Sequence, residues 1–264
     1  MAMFHVKHLR LHPGPGRVGC CSSPAPAGRR LGRHKRLSKF PVIAIDGPAG
    51  SGKSTAARLL AGRLGYSHVD TGALYRTVTL LAIERGIDLA DEQRLAAVVP
   101  ELRVRFEPAE SGPRVWSGGR EVTAELRTPE LTRQVRLAAG SPVVRRALVP
   151  VQREFAERGP VVMEGRDIGT VIFPDAAVKF YLDAPLAVRA ERRWKELAAA
   201  GRSVTIEEVT REEAARDESD LKRETAPLRR AADAIVVDTG GLTIEQMVER
   251  LAELAGERLK GGRK

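Results

Sequence analysis

Cysteine is nearly absent from this chain: its two copies, Cys20 and Cys21, are adjacent near the N-terminus, where they cannot staple a folded domain. A body without cysteine fits a reducing compartment. Aromatic residues make up only 4% of the sequence and do not interleave with the basic residues of the N-terminal segment, as a nucleic-acid-stacking tail would require. No apolar run approaches the eighteen or so residues of a membrane span, and the N-terminus has no apolar signal-peptide core. A disulfide framework, a spanning helix and a secretion signal are therefore not expected, and a soluble, cytoplasmic protein with no membrane partner is.

Acid is missing from residues 1–39, which hold nine Lys or Arg and no Asp or Glu. The formal net charge is +10, so removing those nine leaves residues 40–264 at +1. The basicity belongs to this segment, and the body has no global electrostatic reason to bind a polyanion. With Pro13-Gly14-Pro15-Gly16 and Ser22-Ser23-Pro24-Ala25-Pro26, residues 1–39 read as a basic disordered tail. An Arg-rich, acid-free transit peptide and an over-extended start of translation are the alternatives, although no convincing amphipathic helix is present.

From Phe40 the pattern changes. Val42-Ile43-Ala44-Ile45 is a continuous apolar run of the kind a strand covered on both faces carries. Similar runs at Val161-Val162-Met163, Val178-Lys179-Phe180-Tyr181-Leu182 and Ala234-Ile235-Val236-Val237 alternate with helical stretches, which predicts an α/β fold with a parallel core sheet. Helices are expected over Thr55–Leu64, Pro142–Arg158, Pro185–Ala200 and Ile206–Arg223. Capping boxes are expected at Thr205-x-x-Glu208 and Thr243-x-x-Gln246. Between about residues 99 and 128 the alternation of Leu102, Val104 and Phe106 and the turn Ser117-Gly118-Gly119 predict a small antiparallel meander inserted into that fold.

Gly47-Pro48-Ala49-Gly50-Ser51-Gly52-Lys53-Ser54 follows a predicted strand and precedes a predicted helix, the context a phosphate-binding P-loop demands. Its glycines let backbone N–H groups turn toward phosphate oxygens, with Thr55 continuing into the helix. Lys53 would reach the β and γ phosphates of ATP, and the Ser54 hydroxyl would ligate Mg²⁺. Three further clusters lie where the same cleft would form. They are Thr71, Tyr75 and Arg76 after a second short strand, Arg166 and Asp167 after the strand ending at Glu164, and Arg216, Asp220 and Arg223 at helical spacing. Singly, each reads equally well as core packing or a solvated ion pair. Together around one P-loop they point to phosphoryl transfer, which needs positive charge on both anions and on the moving group.

The strings Ile45-Asp46-Gly47-Pro48, Asp70-Thr71-Gly72-Ala73-Leu74-Tyr75-Arg76, Gly165-Arg166-Asp167-Ile168-Gly169-Thr170-Val171-Ile172-Phe173-Pro174 and Arg216-Asp217-Glu218-Ser219-Asp220 are long and specific. With them the chain resembles bacterial-type cytidylate kinases, from about Val42 to Gly256. The resemblance implies a P-loop NTPase-type three-layer fold over residues 40–264. Within it would lie a CMP-binding subdomain over about 71–158 with the β insert at about 99–128, and a helical lid over about 190–210. It implies ATP-dependent, Mg²⁺-dependent phosphorylation of CMP and dCMP, and a monomer is expected. The rivals are a kinase of UMP, AMP or shikimate, and a P-loop nucleic-acid-binding NTPase.

By position, the resemblance assigns Arg76, Arg166 and Arg223 to the CMP phosphate, Arg216 and Asp220 to the ribose, and Arg145, Asp167 and Thr71, beside Tyr75, to cytosine. Arg192 and Arg193 would join Lys53 and Arg166 on the transferring phosphates. That base assignment is chemically sensible: a carboxylate accepts from the N4 amine, and a guanidinium donates to O2 and N3. One position departs from the family, with Arg136 standing where a base-contacting serine is common.

Overall fold

A computed structural model describes residues 37–109 and 112–261. The basic segment, apart from its last three residues, lies outside them, and so do Cys20 and Cys21. Five strands form a parallel sheet: β1 (Val42–Asp46), β2 (Ser67–Asp70), β6 (Val161–Gly165), β7 (Val178–Asp183) and β8 (Ile235–Asp238), in the order β2-β6-β1-β7-β8. Each apolar run read from the sequence is one of these strands, extended by a residue or so into the polar position that ends it.

Because side chains alternate across a strand, β1 feeds both faces of the sheet. Ile43 and Ile45 pack with Leu60 of α1 (Lys53–Leu64), Phe180 and Leu182 of β7, and Leu251 of α8 (Ile244–Gly261). Val42 and Ala44 face the other way, onto Met163, Ile168, Phe173 and Ala156 of α5 (Pro142–Arg158). Helices on both faces make the three layers. Among the described residues no helix is long and apolar enough to cross a membrane.

A second apolar cluster gathers α2 (Thr71–Glu84), α3 (Glu92–Ala97), α4 (Pro129–Gly140) and α5 around Leu74, Val78, Leu95 and Leu148. The expected meander covers it: β3 (Val104–Glu107), β4 (Arg114–Ser117) and β5 (Arg120–Glu121) pair antiparallel, and Val104 and Val115 face that core. Thr128 caps α4 through the Leu131 N–H, with Pro129 at the first position, as the sequence suggests.

Two helices, α6 (Leu186–Ala199) and α7 (Ile206–Lys222), lie between β7 and β8. The capping box of Thr205 and Glu208 opens α7, and Thr243 and Gln246 exchange the same pair of bonds before α8. Two expectations shift by local chemistry. Helix α1 starts at Lys53 rather than Thr55, because Gly52, at φ 85°, supplies the left-handed residue that turns the chain directly into it. Arg223 does not share the α7 face by helical spacing, since it is the C-cap with ψ 134° and has already left the helix.

Candidate active site

Chain direction places the site. From β1 the chain crosses toward β2 and β6, whereas β7, the other neighbour of β1, continues to β8, so the connections diverge between β1 and β7. Open α/β sheets bind ligands at the carboxyl end of such a point. The loop Gly47–Gly52 sits there. A Cβ at Gly47 would stand 2.0 Å from the Leu182 carbonyl oxygen, and φ is 147°, so the loop reaches β7 only with glycine. Helix α1 then begins with no side-chain cap and no acid in its first turn, leaving its N–H groups and positive dipole end for an anion.

Lys53 folds back over this loop. Its Nζ donates to the Pro48 carbonyl and, at 3.3 Å, lies near Ser51 Oγ, and the side chain is buried. Burial, and then Arg166 and Arg216, push its pKa well below the usual lysine value. The cations across the cleft therefore converge on a point that an anion would stabilise.

Around that point the structure brings the sequence clusters together. Thr71 Oγ1 donates to the Glu164 carbonyl at 2.7 Å, which fixes the start of α2 against β6. Arg76 is 2.6 Å from Asp70, whose carboxylate also accepts from the Ala73 N–H. Asp220, almost wholly buried, takes Arg166 Nε at 2.7 Å on one oxygen and Arg223 on the other. Arg216, half-buried, has no ion pair or hydrogen bond among the described residues. Burial and the neighbouring Arg166 lower its pKa. Glu213 and Asp220 lie near enough to favour its charge, but neither is within ion-pair distance.

Arg145 and Asp167 form a buried pair at 2.5 Å, with the guanidinium 5.5 Å from the centre of the Tyr75 ring. Burial pushes the Tyr75 hydroxyl up to about 12, so it stays protonated. Asp167 also precedes one wide turn, Ile168–Ile172, in which Ile172 and Phe173 donate five residues back. Turns of this type cluster at functional positions.

Not every sequence candidate joins the cluster. Arg192 donates to the Thr239 carbonyl at 2.5 Å and to its hydroxyl at 3.2 Å, tying α6 to the loop before α8. Arg193 pairs with Glu196 in solvent, and Arg136 is exposed on α4.

Three further residues were not singled out from the sequence. Asp46, buried at the end of β1, accepts from the N–H groups of Ile168 and Gly169 at 2.8 and 2.7 Å. Glu164, opposite Ile45 on β6 and so one residue back in register, accepts the Ser54 hydroxyl at 2.8 Å. Arg189, buried on α6, donates to Ala184, to Ala49 of the loop and to Asp217 of α7. The signal for the first two was an acid at the carboxyl end of an apolar strand, where it can be afforded only if something there needs it.

The cytidylate kinase family model matches residues 43–257. The chain belongs to the cytidylate kinase family. A cytidylate kinase of Exiguobacterium sibiricum is 49% identical over 218 residues, covering 83% of this chain and 98% of the relative. One from Carboxydothermus hydrogenoformans is 46% identical over 216 residues, covering 82% and 97%, and one from Geobacter sulfurreducens is 46% identical over 217, covering 82% and 93%. The family match thus takes in the loop, the meander and every residue of the cluster described above.

Proposed function

We propose that this chain transfers the γ-phosphoryl group of ATP to a phosphate oxygen of CMP or dCMP, giving ADP and the pyrimidine diphosphate. The observation that carries it is one cleft with two cationic halves. On one side lie the P-loop and Lys53, and on the other Arg76, Arg166, Arg216 and Arg223 gather beside the Arg145–Asp167 pair. The donor phosphates would lie on the N-terminus of α1, and the acceptor phosphate among the second set. The unpaired Arg216 and the Asp220 carboxylate would take the ribose. Asp167 would accept from the cytosine N4 amine while Arg145 donates to O2 and N3, with Thr71 and Tyr75 alongside.

Ser54 and Glu164 offer adjacent oxygen donors beside the loop, a set that fits Mg²⁺. Among the described residues no cluster of three or more His, Cys, Asp or Glu forms a closed metal cage. Ser54 and Glu164 would hold such an ion, which would supply positive charge to offset that of the transferring phosphates. The residues themselves hold the two anions in line, exclude water and offset the charge on the moving group. No covalent enzyme intermediate is needed. Residues 190–210, at the α6–α7 junction, are the proposed lid, with Arg192 and Arg193 released from Thr239 and Glu196 to meet ATP.

The test is an acceptor panel with ATP and Mg²⁺: CMP, dCMP, UMP, AMP and shikimate. CMP and dCMP should have the highest kcat/KM, and equal use of UMP would overturn the base assignment.

A further inference from the structure

Glu164 is almost wholly buried and has no Lys or Arg in contact among the described residues. A buried carboxylate needs hydrogen-bond donors in place of the water it has lost. Two are present: the Ser54 hydroxyl on one oxygen at 2.8 Å and the His68 Nε2 on the other at 3.3 Å.

His68 reaches it by sheet register. In the β2–β6 pairing Asp70 lies opposite Glu164 and His68 opposite Val162, so His68 and Glu164 are diagonal neighbours on one face. A carboxylate only accepts, so the imidazole donates from Nε2. Its Nδ1 is buried with no partner among the described residues, a cost that a purely packing residue in this strand would avoid.

We propose that His68 is a positioning residue for the metal arm of the site: it fixes the rotamer of Glu164, and Glu164 in turn orients the Ser54 hydroxyl toward the ion that accompanies ATP. This rests on the reading of Ser54 and Glu164 as the metal side of the cleft. With Oε1 held by His68, Oε2 stays on Ser54, whose lone pairs then face the phosphates. Without His68 the carboxylate is free to turn, and the hydroxyl loses its fixed acceptor.

The experiment is titration calorimetry of ATP into the full chain, with Mg²⁺ and with EDTA, for wild type, His68→Leu and His68→Gln. Mn²⁺ binding in the presence of ATP is followed by electron paramagnetic resonance. His68→Leu should weaken ATP binding with Mg²⁺, and Mn²⁺ binding, by about tenfold, the low end of what second-layer partners of metal ligands contribute. ATP affinity in EDTA and CMP affinity should stay within about twofold of wild type. His68→Gln, whose amide can donate to Glu164, should recover most of the loss.

Equal loss with and without Mg²⁺, or no loss, overturns the proposal. If His68→Leu is poorly folded, a cycle of His68→Phe, whose ring fills the same space without a donor, and Glu164→Gln replaces it: the two effects on Mn²⁺ affinity should be less than additive, and additivity overturns the proposal. A wild type whose ATP affinity ignores Mg²⁺ would overturn the metal reading itself, whereas Mg²⁺ dependence that survives His68→Leu unchanged overturns only the role of His68.

Discussion

Nη2 of Arg145 lies 2.5 Å from Oδ2 of Asp167, and both side chains are buried. Burial pulls the guanidinium's pKa down, yet its neighbours, the Asp167 carboxylate among them, hold it above the ordinary value, so Arg145 stays charged. The pair thus presents a fixed acceptor and a fixed donor to a base. Uracil would set its O4 against the carboxylate and its N3–H against the guanidinium, each mismatch costing roughly 1–3 kcal/mol. Asp167→Ala is expected to lose most CMP turnover while narrowing the CMP-to-UMP ratio of kcat/KM. It should also lower stability by about 3–5 kcal/mol, because Arg145 is left buried and unpaired. An unchanged ratio would show that the pair is structural only.

Lys53 yields a prediction about protons. Its pKa is held down by burial, and then by Arg166 and Arg216, while the loop contains only neutral acceptors. A phosphate arriving in the loop supplies the missing negative charge and raises that pKa again. ATP binding should therefore be accompanied by proton uptake that grows with pH, read by calorimetry in buffers of different ionisation enthalpy. Lys53→Met should abolish that uptake and lower turnover by several orders of magnitude, a barrier increase of roughly 4 kcal/mol or more. Uptake that persists in the variant would assign the proton elsewhere.

The strands were legible because each is a short apolar run, and the loop because glycine spacing and a following helix leave few alternatives. The site was legible in its arginines, which are conspicuous, and less so in what holds them. Asp46, Glu164 and Arg189 each act through long-range contacts: Asp46 to Ile168, Glu164 to Ser54, Arg189 to Ala49. No periodicity reports a partner more than a hundred residues away. Arg223 shows the opposite error, since spacing alone put it on a helix that ends one residue earlier. Arg192 and Arg193 are adjacent in sequence, yet one is bound to Thr239 and the other pairs in solvent, a difference set by the facing of α6 alone.

Arg189 fastens three parts of the molecule, with hydrogen bonds to Ala184, Ala49 and Asp217 at 2.8, 3.3 and 2.7 Å. A Cβ on Gly50 would come within 2.9 Å of the Arg189 Cβ, so loop and helix are in direct contact. Arg189→Met should cost about 3–5 kcal/mol, since Asp217 is stranded. That corresponds to a fall in Tm of about 10 °C for a chain of this size. Because Asp217 adjoins Arg216 on α7, KM for both substrates should rise. Asp217→Asn combined with Arg189→Met should be less than additive in stability, and full additivity would show that the contact contributes nothing.

Asp46 makes the stability of the fold depend on pH. Burial raises the Asp46 carboxyl to about 6 from the ordinary 3.8, even though the N–H groups of Gly169 and Ile168 pull it down. Between those two values the folded chain keeps a proton on Asp46 that the unfolded chain has released. Its contribution to stability is therefore fully present below about pH 4, falls as pH rises, and is gone above about pH 6. The loss is on the order of 3 kcal/mol for a shift of about two units. Asp46→Asn has no such titration and keeps only one carbonyl oxygen for the two N–H groups, so it should be less stable by about 1–3 kcal/mol for the bond it lacks. Other carboxylates titrate alike in both proteins and cancel. Denaturant unfolding of the metal-free chains between pH 4 and 7 should show the advantage of wild type over Asp46→Asn shrinking steadily up to about pH 6 and then levelling. An advantage that grows with pH would mean that Asp46 is ionised and stabilising throughout, held by its two N–H groups as an ordinary charged cap.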